Sequence, residues 1–584
     1  MNGFACGKKQ LIVPEKFVET ACKVHFQLEN VHFQAGNMHF QVKNIYFQAG
    51  NEDCCGFRLL LGQTLRLFPG LWPDFPRNFQ QIMFIQTIKQ QKIMRRLFRL
   101  AGLWLALGAS SLWGLTSCSD DNGTNGSLPA EELSFVLDAD AGSGSPILLV
   151  AEETYTLAYQ AEGVEDIVVE NEAAGWQVTV DEAESRIVLT APAATAEAGQ
   201  TYTLQLTATG AGGQSLTTEG IDFYRVTFDD PKGTFVLNEG NMTTENGSLV
   251  YITPEGYVLD NAYKRVNGTE LGNVAQDMYF HDGKVYLISQ NGDTNAVGTS
   301  FENDGMLVVA DAATLKKVRS FTNAELDRLD WPTHVAVLDE QHVYIRDNAG
   351  IWRLNMDDAS LTFVEGSEGA PKARLAVVDG AVYFPLNGLL AGLKKIDPSG
   401  DQVSGVANMA FWMASPMINR FLGVAASDDG NLWVMGTSAT DGGSEGTLSL
   451  GKLDLAANKL TQNLLGTQPD EAYDCCFAAH GNTIYYANGT TLYRVLFDPE
   501  AGTDEFREEP LVDLASLDDN VGLLYNGLGV SPATGHVYAN TLKGFGNAFT
   551  TNTIWEFDFD ASLDTPVHRF DDHTRFPAGV YFCK

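Results

Sequence analysis

The chain has 584 residues, too many for one ordinary domain, with 38 Lys and Arg against 74 Asp and Glu, a net charge of −36. A field of that sign repels nucleic acid and anionic lipid, so neither a nucleic-acid partner nor a basic membrane-surface role fits. Only three of the eight cysteines lie past Cys118, too few for a disulfide scaffold. Of these, Cys475 and Cys476 are neighbours that rarely pair with each other, and Cys583 either joins one of them or sits as a core thiol.

Four near-copies of one heptad, VHFQLEN, VHFQAGN, MHFQVKN and IYFQAGN, run from Val24 to Asn51. Each holds Asn and two hold Gly, which argues against a coiled-coil seam. Residues 1–93 read as disordered sequence translated upstream of the true start at Met83 or Met94; a real cytoplasmic extension is the alternative. From Met94 the pattern changes. Arg95, Arg96 and Arg99 precede an apolar run from Leu100 to Leu115, which ends in Leu115-Thr116-Ser117-Cys118. Basic region, hydrophobic stretch and cleavage site in that order make residues 94–118 a lipoprotein signal. The run is short of the ~20 residues that a spanning helix needs. Cys118 is then the lipidated first residue of the mature chain, held to the membrane by its lipid anchor alone. Past it lie 25 basic and 68 acidic residues, a net of −43. Residues 119–131, rich in Gly, Asn and Ser, form a flexible linker.

Residues 132–230 alternate apolar and polar positions in short runs such as TYTLAYQ (154–160), WQVTV (176–180) and TYTLQLTATG (201–210). About seven strands in ~100 residues predict an Ig- or PKD-like sandwich. Trp176 is expected in its core. Asp138 and Asp140 lack the further acidic ligands that a calcium site requires.

From residue 232 to 584 one unit recurs: a strand, a tight turn, a second strand with an aromatic residue, a loop, a third strand and a fourth. The turns are Asp282-Gly283, Asp379-Gly380, Asp429-Gly430, His480-Gly481 and Thr534-Gly535, with Asp339-Glu340 in the same place once. The spacing is that of β-propeller blades. Six units are complete. FVLNEGN (235–241) and LVYIT (249–253) at the start and PAGVYF (577–582) at the end supply a seventh, with the C-terminal strand innermost; eight blades is the alternative. The fold class is therefore all-β, an N-terminal Ig-like sandwich followed by a seven-bladed β-propeller.

The stretch FVLNEGN, followed by NG..LG.VAQ.M (267–278), resembles the BtuG-like and YncE-like surface lipoproteins of the Bacteroidetes type, as does the ending FPAGVYFCK. The acidic Ser119-Asp120-Asp121 after Cys118 resembles their export tag, or is a solvated linker. The resemblance implies a surface-exposed lipoprotein of the outer membrane. It further implies capture of cobalamin, or another nutrient, for a TonB-dependent transporter. The sandwich departs from that family, which is essentially propeller after its anchor.

No HExxH, CxxC, nucleophile elbow or phosphate-cradling glycine loop occurs. No catalytic residue, metal site or cofactor is therefore expected. A propeller instead gathers its loops at one channel mouth, where aromatics, amides and arginines can hold a large, partly polar ligand. The candidate ligand-binding residues are Asn241, Asn273, Gln276, Trp331, His334, Arg374, Arg420, Tyr473, Tyr525, Asn526 and Arg575. A protein-interaction scaffold and, behind it, a propeller hydrolase are the competing readings.

Overall fold

A computed structural model of the protein describes residues 24–29, 44–49, 133–138, 145–194, 200–299, 301–387, 392–406, 418–438, 447–466, 477–501 and 506–583. The expected lipidation site Cys118, the expected signal and linker around it, Asp140, Tyr473, Cys475 and Cys476 lie outside the described residues. In the heptad region two copies, Val24–Glu29 and Asn44–Ala49, pair as antiparallel strands. That differs from the disorder expected there; the alternating pattern of the heptad suits a strand.

The sandwich has ten short strands rather than about seven. The expected run at 154–160 is the strand Thr154–Glu162, and after Gly163, at φ 67°, a further strand Val164–Val169 follows. The 201–210 run breaks at Gln205 into Thr201–Leu204 and Leu206–Gly210. These strands form one four-stranded and two three-stranded sheets. The core between them holds Leu157, Ile187, Leu189, Leu204, Leu206 and Phe223. Trp176 is buried there, its ring stacked on Tyr202 at 5.4 Å.

Seven four-stranded antiparallel sheets follow. They are the seven blades of a β-propeller, and each strand order runs outward from an innermost strand. Blades 2 to 7 begin with Asn273–His281, His334–Asp339, Ala376–Val378, Ile418–Ala426, Phe477–His480 and Leu523–Val530. Blade 1 joins the two ends of the domain: Pro577–Phe582 is its innermost strand and pairs with Thr234–Asn238. Two first-to-second turns explain the Asp-Gly signal. Asp282-Gly283 and Asp379-Gly380 have positive φ at both residues and close two-residue hairpins, as type I′ turns require.

Among the described residues, seven apolar clusters occupy the seven seams between neighbouring blades. The seam of blades 7 and 1, for example, packs Tyr538, Ile554 and Phe570 against Val236, Val250 and Val580. With the ring closed, each innermost strand keeps one unpaired edge, short and turned toward the channel.

The sandwich continues into the seam of blades 1 and 2. Phe228 lies against Phe235 and Tyr251, at 6.3 and 5.1 Å. Arg265 grips Glu153 and donates to the Leu148 carbonyl, Lys316 pairs with Glu152, and the Tyr224 hydroxyl donates to Glu255. Glu255 and Lys316 belong to third-to-fourth strand turns. Those turns lie on the propeller face opposite the loops that enter the innermost strands; Arg265 belongs instead to the helix Ala262–Asn267 in the connection into blade 2, and among the described residues the other entering loops of that face stay open.

Candidate functional site

The open face carries two sets of connections: those entering each innermost strand, and those from second to third strands. Three groups of side chains are built on it.

The first lies on the channel axis. Asp277, from the inner strand of blade 2, is buried. Its Oδ1 accepts from the Tyr581 hydroxyl of blade 1 at 2.9 Å, and its Oδ2 from the Val335 N–H of blade 3 at 3.1 Å. His334 Nδ1 stands 3.4 Å from Oδ2, and Arg374 Nε, from the approach to blade 4, 3.6 Å from Oδ1. The Arg374 guanidinium also lies over the Tyr581 ring, at 4.5 Å. Burial works to raise the Asp277 carboxyl, yet His334, Arg374 and the Val335 N–H hold it below its usual range. Burial, above all, pushes the Tyr581 phenol well above its ordinary value, and Asp277 adds to this. Four blades thus meet at one carboxylate.

The second group lies at the seam of blades 1 and 2. Asn291 donates to Asn273, and Asn273 to Asn246; Asn246 donates on to Glu270 and Asn295. Beside this amide network opens a cleft of ≈ 380 Å³, lined by Glu245, Tyr263, Lys264, Glu270, Phe301 and Arg575 among others. Its volume suits a small ligand. Burial raises the Glu245 carboxyl; Arg575, at 3.7 Å, opposes that and Glu270 adds to it. The Lys264 ammonium sits 3.3 Å above the Phe301 ring. Two glycines are needed here. A Cβ on Gly240 (φ 77°) would strike the Asn246 carbonyl, and one on Gly272 would strike that of Gly305.

The third group lies at the seam of blades 7 and 1. Phe549, Phe576 and Phe545 form a ladder of near-parallel rings, with Tyr525 edge-on to the last two. Glu239 accepts from the Tyr525 hydroxyl and the Asn526 amide at 3.4 and 3.3 Å.

The backbone is strained around the same mouth. Val274, Trp331, Asn526 and Phe576 all have positive φ, and each stands in or just before an innermost strand. For Val, Trp and Phe this is an outlier costing ~1–3 kcal/mol each. The register of the inner strand shifts near Val274, Asn526 and Phe576. Such bulges re-aim side chains.

The sequence candidates divide accordingly. Asn273, Gln276 and His334 were expected in entering loops; they lie within inner strands and are buried. Tyr525 and Asn526 also lie within a strand, at its bulge. The cause is the same in each case: the inner strands begin earlier than the apolar pattern indicates, because polar channel residues interrupt it. Trp331 is 47% exposed on the mouth face. Asn241 closes the second-to-third turn of blade 1, accepting from Thr243. Arg374 reaches the axis and Arg575 the cleft. Of Arg420 only the backbone is described, paired with Thr437. Asp277, Tyr581, Glu239 and Phe576 were missed. For Asp277 a signal existed: a carboxylate inside the apolar strand VAQDMYF can only be tolerated with partners.

The sequence from residue 232 to 583 matches the model of the family described as a domain of unknown function, DUF5074. The chain belongs to that family. No curated protein matches it in sequence. Among solved structures, it is similar to a Bacteroides thetaiotaomicron protein of unknown function, at 14% identity and a TM-score of 0.26, over 63% of this chain and 97% of that one. It is also similar to a GH74 enzyme of Niastella koreensis, at 9% identity and 0.33, over 56% and 51%. A GH74 xyloglucanase of Xanthomonas campestris gives 14% identity and 0.33, over 55% and 52%. Likeness at these levels carries no argument about activity.

Proposed function

We propose that this protein is a surface lipoprotein of the outer membrane, of the BtuG-like kind, that captures a nutrient at its propeller mouth. A corrinoid is the first candidate, and a TonB-dependent transporter the partner that receives it. The observation that carries this reading is a run of exposed large apolar side chains along one rim, although Leu496, Phe506, Leu563 and Val567 are exposed too, at the third-to-fourth connections of blades 6 and 7 on the other face. Phe545, Met242, Val297, Phe301 and Trp331 are all 42% exposed or more. All five belong to mouth-face connections, on the consecutive blades 7, 1, 2 and 3. Apolar groups left in water together on one rim, among carboxylates and amides, are what a large, partly polar ligand would cover.

Two further points support it. The residues that carry the family resemblance, Glu239-Gly240-Asn241 and the stretch from Asn273 to Met278, build the mouth at blades 1 and 2. The sandwich contacts the propeller at the third-to-fourth turns of blades 1 and 2, which lie on the other face, and at the helix before blade 2. Among the described residues no helix is long and apolar enough to cross a membrane.

Calorimetry of the purified protein against corrinoids, haem and neutral oligosaccharides tests the reading. Binding of one of them with micromolar or better affinity is expected; heat from none would remove nutrient capture. In that case a stable complex with a membrane protein would favour an interaction scaffold, for which the exposed Val136, Val168 and Leu216 of the sandwich offer a surface.

A further inference from the structure

The ladder of rings at blades 7 and 1 is built against local preference in two places. Phe545 is the N-cap of the short 3-10 helix Gly546–Thr550, and its side chain caps nothing. Ser, Asp or Asn would satisfy an orphan N–H at that position. Phe576 adopts φ 55°, where a glycine would be relaxed. Both choices sacrifice stability and both put a ring into the same stack. Phe576 lies 4.6 Å from buried Phe549 at an interplanar angle of 21°, and Phe545 lies 6.3 Å from Phe576 at 18°. Tyr525 braces Phe576 and Phe545 edge-on, at 5.6 and 6.2 Å. The stack ends in Phe545, which is 61% exposed. Residues that break local rules without a folding gain mark function.

We infer that the Phe545 end of this ladder is a stacking subsite for a flat ring that is apolar on its face, donates hydrogen bonds at its edge and carries no negative charge. The inference rests on the mouth being a capture face and names the chemistry of what is held there. The ring faces of the ladder carry negative quadrupole charge, which favours the polarised C–H or electron-poor face of a partner ring. Glu239 stands beside the ladder, accepting from Tyr525 and Asn526. A carboxylate only accepts, so the ligand edge nearest it must donate. Together with the net charge of −36, that carboxylate turns anions away. Both a pyranose and an amino-substituted heteroaromatic ring have this chemistry.

The test titrates the full chain by calorimetry and NMR with cellotetraose, adenosine and adenosine 5′-monophosphate, and repeats it with Phe545→Ser and Phe576→Gly. Binding of cellotetraose or of adenosine is expected, and which of the two identifies the source of the ring. Phe545→Ser should weaken it about tenfold with melting unchanged or raised, since Ser restores a cap. Phe576→Gly should weaken it as well while relieving the backbone. The phosphate should bind more weakly than adenosine. Binding of neither uncharged probe at millimolar concentration overturns the subsite. So does binding that Phe545→Ser leaves unchanged, or tighter binding of the phosphate. None of these results touches corrinoid or haem capture elsewhere on the mouth, and failure of that capture leaves a Phe545-dependent ring site standing.

Discussion

The Tyr581 hydroxyl donates to Asp277 across 2.9 Å, joining residues 304 positions apart. Tyr581 lies on the last strand of the chain, and Asp277 on the inner strand of the blade next to it. The bond therefore fastens the seam at which the ring closes. Because Val335, His334 and Arg374 converge on the same carboxylate, it also ties blades 3 and 4 to that seam.

Asp277→Asn should destabilise the propeller by about 3 kcal/mol, because it strands Arg374 and a strand N–H around a group without charge. The pH dependence follows from the lowered carboxyl. A depressed native value adds stability that is fully present above the unfolded value of about 3.9 and is lost as pH falls through the native one. Urea midpoints at pH 7 and pH 3 check this. The variant should differ from the parent at pH 7 and approach it at pH 3; an equal gap at both would rule out the charged form as the source.

Removing residues 576–584 deletes the innermost strand of blade 1 together with Tyr581. The inner edge of Thr234–Asn238 and the Val580 contacts would then be exposed, and cooperative unfolding should be lost. Differential scanning calorimetry reads the outcome directly. A truncated chain that melts like the parent would mean that the ring does not need its C-terminal strand.

The architecture was legible because seven seams demand seven similar apolar units, and the repeated turns and aromatic strands record that demand. The site was legible only in part. Trp331, Arg374, Tyr525 and Arg575 could be placed at the mouth by counting loops. The partner of Arg374 could not, since Asp277 comes from a blade two units back, and the apolar strand around that carboxylate signals a partner without naming it. Phe576 was hidden differently: its φ of 55° is set by the register shift between two strands more than 300 residues apart in sequence. In the sandwich, the break at Gln205 and the further strand after Gly163 raised the strand number without changing the fold.

The joint between sandwich and propeller should behave as one cooperative structure. Phe228 is 2% exposed, between Phe235 and Tyr251, and Phe228→Ala should cost about 3 kcal/mol. Arg265→Ala removes a pair that is partly exposed on both sides, so about 1 kcal/mol is its ceiling. Thermal unfolding followed by fluorescence and circular dichroism should show one transition in the parent. In Phe228→Ala it should separate into two; a single, merely lower transition would mean that the remaining contacts suffice.

Cys118→Ala should release the mature chain from the membrane fraction. Fractionation of cells expressing parent and variant provides the check. Retention of the variant at parental level would mean that another segment anchors the protein.

Trp331 offers the most demanding test of the mouth. It precedes Pro332, holds φ at 55° and leaves 47% of its surface in water. A large ring kept strained and exposed contributes little to the fold, so Trp331→Ala should shift melting by no more than a degree or two. Trp331→Gly, which also removes the strain, should not lower it at all. If one ligand lies across the mouth, losing this ring should cost ~2 kcal/mol of binding, about thirtyfold in affinity. Arg420→Ala, on the inner strand of blade 5, two blades further round, should weaken binding of the same ligand. Affinity and melting temperature are measured together on each variant. Unchanged affinity in both would move the ligand to the cleft beside Glu245 or off this face altogether. A drop in melting with no change in affinity would make Trp331 a loop brace.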